Sequence, residues 1–192
     1  VLTTLAATRS TTLTLSEITA PTPVITAPTA SVLYAGGDTI NYAGRATDYS
    51  DALLTASAFR WAAEFRHDGL RDPVFGPLTG ATNGSFAIST TAPLSTNVAY
   101  RLRLSVTDTN GNQQSTYTDV PPKLSLLSLD TVPSGLQVQF EGQPLNTPTS
   151  LMAVAGMTRN LTALSPQSQT GSNYNFVLWS DGGAASHKIN VR

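Results

Sequence analysis

Apolar residues recur at every second position in several stretches of this chain, which is the period of a strand with one buried face. The clearest stretch places Phe59, Trp61, Ala63 and Phe65 on one side and Arg60, Ala62, Glu64 and Arg66 on the other. A second, over residues 98–107, sets Val98, Tyr100, Leu102, Leu104 and Val106 against Ala99, Arg101, Arg103, Ser105 and Thr107. The Asp108-Thr109-Asn110-Gly111-Asn112 segment that follows is rich in residues that tolerate positive φ, so it predicts a hairpin turn with a return strand over residues 113–120. Shorter pieces at 23–26, 39–45 and 85–89 complete a set of strands suited to two packed sheets.

Pro121-Pro122 removes two ladder donors and holds its neighbours extended, which marks a boundary. Beyond it, strands are predicted at residues 124–129, 136–140, 150–154, 159–164, 174–179 and 187–191, with Gly and Pro between them. Ahead of both units, Leu13 and Leu15 alternate with Thr12, Thr14 and Ser16, predicting one more strand that must find a sheet edge. No long stretch carries a 3.6-residue period; one short helical turn is expected near residues 51–58. The expected fold is all-β, with two antiparallel immunoglobulin-like sandwiches in tandem. Residues 1–21 form a leading strand and Pro-rich linker, 22–122 the first sandwich and 123–192 a second, smaller one.

Composition narrows the function. Charged residues are only 12% of the 192 residues, while 19 serines and 28 threonines approach a quarter of the chain, an extracellular-looking balance. A net charge of −1 argues against nucleic acid as a partner. The lack of cysteine excludes thiol chemistry, iron–sulfur clusters and Cys-based zinc sites. No apolar run reaches the ~20 residues of a membrane span. The chain opens on Val1 rather than Met, as expected of a processed product or an excised fragment.

FRWAAEFRHDGLRDP at residues 59–73, with Tyr100-Arg101-Leu102 and Val106-Thr107-Asp108, resembles the PKD-like, immunoglobulin-type module behind the propeller of secreted glucose/sorbosone sugar dehydrogenases. The second unit resembles the module that follows it there, through Pro133-Ser134-Gly135-Leu136, Gly142-Gln143-Pro144, Ser165-Pro166-Gln167, Tyr174-Asn175-Phe176 and Trp179-Ser180-Asp181-Gly182-Gly183 ahead of His187. The resemblance implies accessory β modules. The propeller that carries the quinone cofactor in that family has no counterpart here, and no cofactor is expected.

Several side chains invite a chemical reading. Asp48 and Asp51 are candidate calcium ligands, although two oxygens fall short of the six to eight that calcium takes, and loop capping is the competing role. His67, Asp68 and Asp72 share a loop with Arg66 and Arg71, which favours a salt-bridged loop over a cation site. Ser180, Asp181 and His187 suggest a catalytic grouping, but alternation alone supplies neither hydrogen-bonding reach nor an oxyanion hole, so no catalytic residue is assigned. Trp61 and Trp179 sit on apolar strand faces and are read as core. Tyr34, Tyr49, Phe75 and Tyr117, on less regular segments, are the candidates for stacking on a sugar ring. Asn83-Gly84-Ser85 and Asn160-Leu161-Thr162 are glycosylation sequons, which arise readily by chance in a Thr-rich chain.

The expected function is therefore that of a secreted, non-catalytic accessory protein that binds a polysaccharide or cell-surface glycan, or spaces and attaches another domain. The alternative is a structural subunit of an extracellular fibre or layer, self-associating through residues 1–19.

Overall fold

In the computed structural model the description covers residues 20–50 and 52–192. The expected leading strand at 1–19 and the expected ligand Asp51 lie outside the described residues. The chain is all-β, as its alternation predicts, and among the described residues the only helical element is a 3-10 turn at Ala56–Ala58.

Fifteen strands run in chain order: β1 (Thr22–Ala27), β2 (Thr39–Thr47), β3 (Phe59–His67), β4 (Leu70–Thr79), β5 (Asn83–Ala87), β6 (Val98–Thr107), β7 (Gln113–Val120), β8 (Leu124–Leu129), β9 (Gln137–Phe140), β10 (Gln143–Asn146), β11 (Thr149–Val154), β12 (Thr158–Ala163), β13 (Gln167–Gln169), β14 (Ser172–Tyr174) and β15 (Ser186–Asn190). A three-stranded sheet of order β1-β2-β5 faces a four-stranded sheet of order β4-β3-β6-β7. The strands of both sheets pair antiparallel, and β3 and β6 hold the centre of the larger sheet.

These two central strands obey the period of two almost perfectly. Phe59, Trp61, Ala63 and Phe65 of β3 and Val98, Tyr100, Leu102, Leu104 and Val106 of β6 are buried, and they meet Ile40 and Tyr42 of β2 and Phe86 of β5 across the sandwich. Trp61 is completely buried, and its indole N–H donates to the Ala81 carbonyl at 3.0 Å, so its one polar group is satisfied inside an apolar site.

β4 has no counterpart among the strands predicted from alternation; it contains Pro73, Gly76 and Pro77. It forms at the sheet edge, where a missing N–H can face solvent. Its register against β3 shifts between Trp61 and Ala63 and again between Ala63 and Glu64. Gly76 lies at φ +100 with its α-carbon packed so close to the β3 backbone that a Cβ would meet the Trp61 carbonyl at 2.6 Å. Glycine is the residue that admits both conditions.

After Pro121-Pro122, β8 pairs with β11, and β9 and β12 form the centre of a sheet of order β10-β9-β12-β15. Glu141-Gly142, read as part of a gap, is the two-residue turn of a β9–β10 hairpin, with both residues at positive φ. Leu129, Val138, Phe140 and Leu161 make a second, smaller buried cluster. Tyr174–Trp179 was expected as one strand; only Ser172–Tyr174 pairs, and residues 175–179 run on without strand pairing.

The two groups of sheets share buried contacts. Val154 and Met157, from beyond the prolines, belong to the first cluster. The Tyr34 N–H donates to Pro121 O and the Lys123 N–H to Tyr34 O, so the chain on both sides of Pro122 is tied to Tyr34. The Gly36 N–H donates to Ala155 O, and Gly36 and Gly156 are packed backbone to backbone, each filling the place where the other's Cβ would stand. Arg159, almost fully buried, reaches back from β12 to donate to the carbonyls of Ala92 at 2.7 Å and Pro93 at 3.0 Å. No helix among the described residues is long and apolar enough to cross a membrane.

Candidate functional site: an arginine-lined groove on the larger sheet

Burying one face of the larger sheet obliges the other to face water, and on that face the sequence places arginine repeatedly. Arg60 and Arg66 of β3, Arg71 of β4 and Arg101 and Arg103 of β6 are five of the nine arginines in the chain. The ladders bring them together: Arg66 stands opposite Arg71, Glu64 opposite Arg101, Ala62 opposite Arg103, and Arg101 and Arg103 opposite Asp119 and Tyr117 of β7. Like charges placed directly opposite cost stability, so the Arg66–Arg71 pair is not there to hold the sheet together.

A shallow groove of about 250 Å³ lies among these side chains, walled by Arg71, Arg101, Arg103 and Glu64 and floored by Ala62, Pro73 and Pro77. Two features open it. Ala62 is the smallest outward residue of β3, and the β4 bulges, one at Gly76-Pro77 and one at Val74, pull the edge strand out of regular register.

The charges on this face are unequally committed. Arg101 donates through Nε and Nη2 to the two carboxylate oxygens of Asp119, each at 2.7 Å, and its guanidinium lies over the Tyr117 ring, 3.8 Å from the centroid. The bidentate bond holds the Asp119 carboxyl below its ordinary value and raises that of Arg101 further. Glu64 lies 3.7 Å from Arg66 Nε. Arg60, Arg71 and Arg103 make no ion pair among the described residues, leaving three planar cations facing solvent.

The other expected sites resolve differently. Tyr34, expected as a surface platform for sugar, is fully buried and packs edge-on to Tyr100 at 4.8 Å. Burial, with a smaller contribution from Tyr100, pushes its hydroxyl well above the ordinary tyrosine value. That expectation is corrected: the ring faces no solvent. Phe75 is also turned inward, stacked on Tyr42 at 5.5 Å and tilted against Phe86 at 5.4 Å. Tyr49 and Tyr117 are exposed, but one face of Tyr117 is covered by Arg101. The irregular look of the sequence around Tyr34 hid the bridge it makes to Pro122.

Asp48 is engaged as a loop cap. Its Oδ1 accepts from the Ser50 N–H at 2.8 Å, the Ser50 hydroxyl at 2.8 Å and the Ala52 N–H at 3.1 Å. The Ser50 hydroxyl, aided by the two backbone N–H groups, holds the carboxyl below its ordinary value. Asp108 does the same for the β6–β7 turn through Asn110 and Asn112. Among the described residues, no three His, Cys, Asp or Glu side chains converge as a metal site. His67 hydrogen-bonds Asp72 through Nε2 at 2.8 Å, with Asp68 3.8 Å from Nδ1.

His187 bonds Asp181 Oδ2 through Nε2 at 3.0 Å and the Ala184 carbonyl through Nδ1 at 2.8 Å. Both ring nitrogens are occupied, so neither is available as a base for Ser180. Asp181 also accepts from the Gly183 N–H, which with His187 keeps its carboxyl below the ordinary value. Trp61 is a core residue; Trp179 is half-buried against the second cluster, with Phe176 and His187 each 5.9 Å from it.

The groove arginines were visible in the sequence as the polar half of each alternating strand. Their convergence was not, because it depends on the pairing of β3 with β6 and on β4, which the alternation did not reveal. The chain matches no protein-family model, no curated protein and no solved structure.

Proposed function

We propose that this protein is a non-catalytic, extracellular carbohydrate-binding module, and that the arginine-lined groove on the β4-β3-β6-β7 face is its binding surface. One observation carries the reading: an open groove with an apolar floor of Ala62, Pro73 and Pro77 and a rim of guanidinium groups, which together match a ligand with both C–H faces and polar oxygens. Arginine forks meet paired oxygens with two parallel bonds. The family resemblance points the same way, since accessory modules of that kind accompany secreted sugar-converting enzymes. The double commitment of His187 to Asp181 and Ala184 leaves no free ring nitrogen for Ser180 in that grouping.

A glycan array probed with the full chain, followed by the same array with Arg103→Ala, tests the reading. Binding that weakens in the variant is the expected result; an array with no binding of the native chain would overturn it.

The structural-subunit reading is favoured by a different feature. Leu124, Leu126 and Met152 are exposed on the β8–β11 ribbon, with Leu126 directly opposite Met152, an apolar surface that copies of the chain could share. Light scattering separates the two: a 20.2 kDa particle favours the binding module, a large polymer the subunit.

A further inference from the structure

We infer that the groove takes a carboxylated polysaccharide, a chain of sugars bearing uronate groups, laid diagonally across the sheet from Arg103 to Arg71. The inference rests on the carbohydrate reading above and names its ligand class.

The spacing comes from the ladders. Arg103 stands opposite Ala62 on one side of β3, and Arg71 opposite Arg66 on the other. With ~3.3 Å per residue along a strand and ~4.8 Å between strands, their α-carbons lie about 16 Å apart. Two cations so far apart, with an apolar floor between them, fit an oligomer that carries its charges at intervals and not a single sugar acid.

The balance of charge selects the density of the ligand. The sheet face holds five arginines against Glu64 and Asp119; Asp68 and Asp72 sit at the β3–β4 turn facing His67. On a chain of net charge −1, this face gives short-range attraction without a strong field, which suits sparse carboxylates better than a phosphate at every unit. Bases would also need a stacking platform; the aromatic on this face, Tyr117, already has a guanidinium 3.8 Å from its centroid. Planar guanidinium groups match carboxylates in a way that lysine does not, and none of the five is lysine.

The test is native affinity electrophoresis of the full chain in gels containing hyaluronate, which carries a uronate at every second sugar, with dextran as the neutral polysaccharide and a single-stranded oligonucleotide as the competing polyanion. Retardation by hyaluronate that weakens as salt rises, and little by dextran, is expected. Arg71→Ala combined with Arg103→Ala should weaken it at least about tenfold, or 1.4 kcal/mol, with the thermal midpoint unchanged, while Arg45→Ala on the opposite sheet leaves it intact. Ala62→Leu, which fills the groove without altering charge, should weaken it as well. Stronger retardation by dextran overturns the carboxylate assignment and leaves the carbohydrate reading standing. Retardation by neither polysaccharide overturns both. Tighter capture by the oligonucleotide, or a double variant that binds like the native chain, overturns the inference.

Discussion

Two stretches of this chain look alike in sequence and end differently. Residues 59–65 carry Phe59, Trp61 and Phe65 on one side of the alternation, and residues 174–179 begin the same way with Tyr174 and Phe176 before Trp179 falls on the other side. The first becomes β3, paired on both sides by β4 and β6, and every apolar residue of its alternating set is buried. In the second, only Tyr174 lies in a paired strand; Phe176 and Trp179 are half-buried, and Val177 and Leu178 are exposed. The Phe176 N–H is satisfied by the Ser165 hydroxyl at 2.9 Å and not by a ladder. Alternation therefore records what a segment can bury, while burial itself depends on neighbours on both edges and a sheet above.

The sharpest test of this contrast removes each tryptophan. Trp61→Ala empties a fully buried, hydrogen-bonded site and should cost ~3–5 kcal/mol, enough to unfold a marginal domain. Urea denaturation followed by far-UV circular dichroism reads the loss. Should the variant fold normally with native stability, the burial argument for β3 fails.

Next in size is Arg159→Ala, which removes one of the links between the larger cluster and the strands beyond Pro122. Two charge-assisted bonds to the Ala92 and Pro93 carbonyls disappear, and a loss of roughly 2–4 kcal/mol is expected. A change within ~0.5 kcal/mol, the usual range for a surface substitution, would mean that the two groups of sheets are stable without this contact.

Trp179→Ala should cost about 2 kcal/mol or less, since the ring is only partly buried and its indole N–H bonds the Ala185 carbonyl at a long 3.3 Å. Equal losses for Trp61 and Trp179 would erase the distinction between the two regions.

The smallest effect has the opposite sign. The Tyr34 hydroxyl is buried without a protein hydrogen-bond partner, so Tyr34→Phe should stabilise the chain by up to ~1 kcal/mol. It should also blunt alkaline unfolding. Burial raises the folded-state values of Tyr34, Tyr42 and Tyr100 above the ordinary tyrosine value, which is near 10. Above about pH 10 the unfolded chain releases protons that the native chain keeps, so stability falls as pH rises. Equilibrium denaturation of both proteins at neutral and alkaline pH checks the sign; an unchanged pH slope in Tyr34→Phe would count against Tyr34 as a contributor.

Much of the fold was legible because strand identity needs little beyond local pattern. β3, β6, β7, β8 and the hairpin turn at Asp108 follow from alternation and from residues that tolerate positive φ. The strands that alternation does not predict carry prolines or are very short: β4 with Pro73 and Pro77, β10 with Pro144, and the β13–β14 hairpin. Each lies outside the centre of a larger sheet, where pairing on one side suffices and a missing donor does no harm.

The candidate site was half legible. The sequence by itself determined that Arg60, Arg66, Arg101 and Arg103 share the polar side of two strands, because a buried Trp61 or Leu102 forces its neighbours outward. It also determined that Asp108 would shape a turn. Only the tertiary structure decided that β3 and β6 are adjacent, that β4 delivers Arg71 beside them, that Asp119 occupies Arg101 and leaves Arg71 and Arg103 free, and that Tyr34 is core and not surface. The reason is physical: the direction of a side chain from its own strand depends on the parity of its position, whereas its neighbours depend on register between strands distant in sequence, which packing of the whole sandwich selects.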